Sequence, residues 1–255
     1  LRATAAGDRV ERGRALAGTA HVNLADSRFN ARELERMGYR DVGVLPLVLD
    51  LERIHTPPDR AVLRAFEDDR PTLLFVGRGA PNKKIDDALR VFHCVLRAVD
   101  PRARFVHVGS FAGTERYRYL LEAQVRALDI PRESVVFAGA VSQAALSAYF
   151  EAADVFLCMS EHEGFCIPLL ESMLHDTPVV AAAEAAVPET MDGAGVLCRG
   201  RDFGAIAEMI GELIGNDPFR ARVVDGQRLR MQRYRERDLL GELKEHLGIG
   251  HGNAG

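Results

Sequence analysis

The sequence predicts an α/β protein, a Rossmann-like parallel sheet flanked by helices, preceded by a shorter segment. Three observations carry this. From Pro71 onward, apolar runs of strand length alternate with stretches of helical periodicity. Alternation of that kind implies a parallel sheet with right-handed crossovers. Gly77, Gly109, Gly139 and Gly164 come after these runs, at the carboxyl ends where such sheets bind ligands.

Taken in order, residues 1 to 20 are rich in Arg, Ala and Gly, helical or frayed. Ala20–Ala25 reads as a strand, and Asp26 or Ser27 caps a helix through Leu34 and Met37 that Gly38 ends. Val42–Leu49 is an apolar run broken by Pro46, and Ile54–Asp59 reads as a linker. Strands are expected at Thr72–Val76, Phe105–Val108, Val135–Phe137, Val155–Cys158, Val179–Ala182 and Gly195–Leu197. Helices are expected at Ile85–Val99, Glu115–Leu128, Gln143–Ala152 and Ile167–Leu174, then at Phe203–Ile214 and Pro218–Arg237. An amphipathic segment with Leu239, Leu240, Leu243 and Leu247 leads into a loose tail from Gly248. The expected division is 1–58 as part of a first domain, 59–230 as the ligand-binding domain, and 231–255 as a terminal helix and tail.

Composition narrows the function. A chain of 255 residues, 47% hydrophobic and 27% charged, is ordinary for a globular protein of one large or two smaller domains. A net charge of -4 gives no reason to expect nucleic acid as a partner. No apolar run approaches the ~20 residues that cross a bilayer, and no signal peptide opens the chain. Cys94, Cys158, Cys166 and Cys198 are scattered and read as reduced, buried thiols of a cytoplasmic protein.

The stretch Ser160–Glu171 carries the chemistry. It joins the Val155–Cys158 strand to a helix that opens with Pro168 near its start. Free N–H groups and the positive dipole end of that helix suit a phosphate. Glu163 and Glu171 bracket the turn, and carboxylates accept paired hydrogen bonds from vicinal hydroxyls. Upstream, Arg78 and Lys83 leave one strand end and can converge on a diphosphate, Arg as a fork and Lys as a point charge. A ligand with phosphates in the middle and hydroxyls at both ends fits: a nucleotide sugar.

Simpler readings compete. Arg78 and Lys83 taken singly are solvated loop cations, and Glu171 is a first-turn acid worth ~0.3–1 kcal/mol. Gly77-Arg-Gly79 starts like a dinucleotide fingerprint, but Asn82 stands where its third glycine belongs. Glu161-His162-Glu163 lacks the paired histidines of zinc proteases and is expected to hold no metal, with no Cys or second His read as near it in sequence. The diphosphate charge is then met by Arg78, Lys83 and the helix end without a divalent ion. Cys166 as a nucleophile lacks a supporting base and reads instead as a small residue permitting close approach. Glu189 in Pro188-Glu-Thr190 caps a helix or lines the cleft; both stay open.

Phe75-Val-Gly-Arg78, Asn82-Lys83, Val136-Phe-Ala-Gly139, Ala152-Ala-Asp154, Ser160–Phe165, Glu171 and Pro178-Val-Val180 resemble, in order and spacing, the C-terminal half of retaining GT-B glycosyltransferases. The resemblance covers about Pro71 to Arg237. It implies that Arg78 and Lys83 hold the diphosphate, Glu163 meets the donor sugar's hydroxyls, and Glu171 the ribose. Backbone N–H groups of Gly164, Phe165, Cys166 and Ile167 would line the sugar and phosphate, with Gly77, Gly109 and Val141 bordering the nucleotide. Cys166 and Lys84 stand where glycine is more usual, and Ser172 where alanine is common. Residues 25–46 resemble only the last part of that family's N-terminal domain, and Met231–Leu247 its terminal helix. The same resemblance implies a metal-independent transferase using a UDP- or GDP-sugar, with no further cofactor. It would act on a glycan or lipid-linked acceptor in the cytoplasm or at the inner face of the membrane. A nucleotide-sugar-binding module without catalysis is the alternative, and an NAD-linked oxidoreductase the third.

Overall fold

A computed structural model of the chain describes residue 11 and residues 13–249. The chain divides into two compact units, Leu1–Leu49 with Glu236–Gly255, and Asp50–Arg235. The expectation for residues 1–10 and for the tail from position 250 lies outside the described residues.

In the first unit, β1 (Asn23–Ala25) and β2 (Val42–Val44) pair in parallel around α1 (Arg28–Arg36). Ser27 caps α1, its hydroxyl accepting from the Asn30 N–H at 3.2 Å, and Gly38 leaves the helix at φ 102. Both ends therefore obey the expected signals. The expected strand over 20–25 shortens to its last three residues.

The second unit opens with two short helices, α2 (Leu51–Ile54) and α3 (Arg60–Arg64). They flank the expected linker, and each has an aspartate at its N-cap. Asp50 accepts from the Arg53 N–H at 3.0 Å, and Asp59 from the Ala61 N–H at 2.8 Å. Ile54, expected in the linker, is instead buried.

Next comes a six-stranded parallel sheet: β3 (Thr72–Val76), β4 (Arg104–Val108), β5 (Val135–Gly139), β6 (Val155–Cys158), β7 (Val179–Ala182) and β8 (Val196–Cys198). Its order is β5-β4-β3-β6-β7-β8. Leu73, Leu74, Phe105, Val106, Phe156, Leu157, Val179 and Val180 are fully buried, because helices cover both faces. Those helices are α4 (Ile85–Ala98), α5 (Glu115–Ala127), α6 (Gln143–Glu151), α7 (Ile167–Leu174), α8 (Val187–Met191), α9 (Phe203–Gly215) and α10 (Asp217–Arg235). Pro188-Glu-Thr190 thus belongs to a short helix. Gln227 of α10 is wholly buried and satisfies two backbone groups: its Oε1 accepts from Val179 N at 2.8 Å and its amide donates to Thr177 O at 3.0 Å. That pair ties α10 to the start of β7.

The segment 231–247, expected as one helix, is two. α10 ends at Arg235, and α11 (Leu239–His246) starts anew where Asp238 accepts from the Gly241 N–H at 2.9 Å. Within the first unit, His246 Nε2 lies 3.4 Å from Val44 O. No described helix is long and apolar enough to cross a membrane.

Candidate functional site

The sheet changes direction between β3 and β6: the chain continues from β3 to one side and from β6 to the other. At such a point the loops leaving the two strands diverge and open a crevice beyond their carboxyl ends. Here those loops are 77–84 and 159–166, the two stretches that carry Arg78, Lys83 and Glu163.

The first loop is held from below by the end of β4. Gly77 N donates to Val108 O at 2.9 Å, Gly79 N to Ser110 O at 2.9 Å, and Gly109 N to Gly139 O at 2.8 Å. Thr114 Oγ1 donates to Gly79 O. Gly109 is irreplaceable at its position: a Cβ there would lie 1.8 Å from Gly77 O. His107, buried in β4, lies with its Nε2 3.0 Å from Gly77 O. Because a carbonyl only accepts, Nε2 carries the proton, which leaves Nδ1 buried without a partner among the described residues. Phe75, Phe111 and Phe137 surround the ring at 5.6, 4.8 and 5.9 Å between centroids. Burial therefore pushes its pKa down from 6.5 to about 4, so it is neutral at pH 7.

On this platform the expected site residues take different positions. Arg78 is exposed, and its side chain makes no hydrogen bond or ion pair among the described residues. Lys83 reaches the second loop: its Nζ lies 2.7 Å from both carboxylate oxygens of Glu163. The backbones are joined as well. Glu161 N donates to Asn82 O at 3.0 Å, and Asn82 Nδ2 to His162 O at 3.4 Å.

The second loop turns into α7 at Cys166, whose φ is 66. Lys84, at the end of the first loop, has φ 49. Both residues stand where the resemblance makes glycine usual, and the left-handed backbone is the reason glycine suits these positions. No side chain caps α7; Pro168 has no N–H, and the Leu169 N–H donates to Cys166 O at 3.1 Å. Ile167 is exposed, Gly164 and Val141 are half-buried, and Phe165 is buried beside Tyr234 with 6.3 Å between ring centroids.

Glu171 is half-buried on α7 and is not paired with Lys83. Burial raises its pKa, against the charge of Arg53, which itself donates to Gln143 Oε1 at 3.0 Å. The structure thus brings Lys83 and Glu163 into contact, keeps Arg78 free on the same loop, and leaves Glu171 one turn along the adjoining helix. Sequence reasoning missed His107, Thr114 and Arg53. Of these only His107 carries a signal, as a polar residue among Phe105, Val106 and Val108.

The expectation that no Cys lies near Glu163 is corrected: Cys158 stands five residues before it and Cys166 three after it. The donor atoms of Cys158, Glu163 and Cys166 all lie within 4.8 Å of one another. The reason is local: the loop leaves β6 at Cys158 and returns over it, so Cys166 closes onto the strand end it came from. The Cys158 thiol donates to Ser160 Oγ at 3.5 Å; its closeness to the Cys166 thiol lowers the pKa of Cys158 and, together with burial, raises that of Cys166.

The family described as glycosyl transferases group 1 matches residues 60–230. A D-inositol 3-phosphate glycosyltransferase of Xylanimonas cellulosilytica is 30% identical over 225 residues, 83% of this chain and 52% of that protein. A GDP-mannose-dependent alpha-(1-6)-phosphatidylinositol monomannoside mannosyltransferase of Mycolicibacterium smegmatis is 33% identical over 190 residues, 69% of this chain and 48% of that one. The chain spans about half the length of these relatives. Among solved structures, Anabaena HepE in complex with UDP and glucose superposes with a TM-score of 0.78 at 20% identity, covering 94% of this chain and 67% of that one. Sucrose-phosphate synthase of Thermosynechococcus elongatus gives 0.74 at 24% identity, covering 89% and 57%. At these identities the superpositions speak for the fold, which is that of the GT-B structures.

Proposed function

The chain belongs to the group 1 glycosyl transferases, and from that premise we propose that its crevice binds a nucleotide-sugar donor for transfer, with retention, to a glycan or lipid-linked acceptor. The observation that carries the reading is the Lys83–Glu163 pair, which joins the two loops across the point where the sheet reverses. A cation at that junction meets phosphate, and a carboxylate beside it meets the sugar's hydroxyls. HepE, bound to UDP and glucose, has the same fold, and the mycobacterial relative is named for GDP-mannose and a phosphatidylinositol acceptor. Those names support a UDP- or GDP-sugar here, and an acceptor at a membrane face.

In this reading Arg78 and Lys83 neutralise the charge that develops on the diphosphate, helped by the positive dipole end of α7. No metal is needed to balance the leaving group. Glu163 accepts from the donor sugar and Glu171 from the ribose. The acceptor hydroxyl attacks on the face the phosphate leaves: the C–O bond to phosphate breaks, the bond to the acceptor oxygen forms, and the departing phosphate oxygen takes the acceptor's proton.

Calorimetry with UDP-glucose and GDP-mannose, run beside a transfer assay, tests this. Binding of one nucleotide sugar that is lost in Arg78→Ala is expected. Binding without turnover would make the chain a donor-binding module, and binding of NAD in place of either sugar nucleotide would overturn the assignment.

A further inference from the structure

We propose that Cys158, Glu163 and Cys166 form a binding site for a soft divalent cation such as Zn2+. Two sulfurs and a carboxylate oxygen lie within 4.8 Å of one another, and bringing them onto one ion needs only small shifts. Cys158 is 1% exposed, Glu163 7% and Cys166 9%, so the cluster is sheltered from competing water. Sulfur ligands select zinc over magnesium, and three protein ligands with one open position are a common zinc arrangement. Two thiolates and a carboxylate carry three negative charges against the ion's two, and the Lys83 ammonium beside Glu163 balances the remainder. The three ligands come from one short segment, the end of β6 and the turn into α7, so the site needs no assembly from distant parts of the chain. Cys94 and Cys198 lie outside the cluster.

With Lys83 still beside it, Glu163 would be committed to the ion, which would occupy the turn where the donor sugar is proposed to lie. Zinc would then act as an inhibitor of donor binding. This consequence rests on the proposed function, whereas the binding itself does not.

Zn2+ is titrated calorimetrically into the chain with its thiols kept reduced. One equivalent is expected to bind, and the affinity should fall more than about 100-fold in Cys158→Ser and in Cys166→Gly, since outer ligands alone are worth 10–100-fold. Glycine suits the backbone at position 166, so Cys166→Gly reports on binding even where Cys158→Ser fails to fold. Unchanged affinity in Cys166→Gly, or no binding to the reduced wild type, overturns the site. If zinc binds as expected but leaves UDP-glucose and GDP-mannose binding unaltered, the inhibitory role is overturned while the site stands. If neither nucleotide sugar binds in the absence of zinc, it is the donor reading that fails, and the titration still decides the metal site.

Discussion

Lys83 Nζ sits 2.7 Å from each carboxylate oxygen of Glu163, linking residues 80 positions apart. The two side chains are 22% and 8% exposed, so each charge depends on the other more than on water. Removing one partner of a buried pair costs about 3–5 kcal/mol, and the exposure of Lys83 brings this case to about 2 kcal/mol. Lys83→Met should show that loss in urea denaturation. Adding Glu163→Gln should cost less than the sum of the single changes, because the second change removes the stranded carboxylate.

Gly109 supports the same loop through steric fit. Its Cβ position lies 1.8 Å from Gly77 O, whereas a Cβ at Gly139 meets nothing within 4 Å. Gly139→Ala should therefore cost only the strain of its φ of 73, about 1 kcal/mol. Gly109→Ala forces the backbone before Arg78 to move and should cost about 3 kcal/mol or more. Equal thermal shifts for the two variants would show that the contact between strand ends does not govern the loop.

Much of this architecture was legible from local pattern. β3, β6, β7 and α7 have the bounds read from their apolar runs and from Pro168, because strands covered on both faces leave an uninterrupted signature. Positions 84 and 166 could be singled out only against the resemblance; the positive φ that explains them appears in the fold. The Lys83–Glu163 contact, the grip of His107 on Gly77 and the meeting of Cys158 with Cys166 arise from tertiary folding, which periodicity does not encode. α2 and α3 were missed for a different reason. Their aspartate caps were present, but at four and five residues they are too short to show a helical period.

The strain at Lys84 is open to test. A left-handed non-glycine residue costs about 1–2 kcal/mol, and glycine's greater freedom in the unfolded chain returns about 0.4–1 of that. The contacts of Lys84 Nζ to Asp86, Asp87 and Glu161 are 3.7–3.9 Å and contribute little. Lys84→Gly should thus stabilise the fold by about 0.5 kcal/mol in chemical denaturation. Destabilisation would mean that those contacts outweigh the strain.

His107 predicts an acid-sensitive fold. Its pKa is 6.5 in the unfolded chain and about 4 when folded, so between these values the unfolded chain holds a proton the folded one does not. Stability then falls as pH drops through that window, by up to about 3 kcal/mol for this group. His175, lowered by burial, acts in the same direction; Asp154 and Glu171, raised by burial, act in the opposite one. The difference between wild type and His107→Gln isolates the His107 contribution, since glutamine can still donate to Gly77 O. Its stability should change less between pH 7 and pH 5 than that of the wild type, and parallel curves would remove His107 as the cause.

Arg78 separates fold from function. It is exposed and holds nothing together among the described residues, so Arg78→Ala should change stability by no more than about 0.5 kcal/mol. If its guanidinium meets the developing diphosphate charge, the same change should lower kcat by about 10²–10³ in a transfer-competent protein. Arg78→Lys keeps the charge but loses the fork, and should recover only part of that rate. Denaturation and transfer rates measured on the same preparations decide it: a normal rate in Arg78→Ala removes the residue from the chemistry, and a large stability loss would give it a structural role that its exposure argues against.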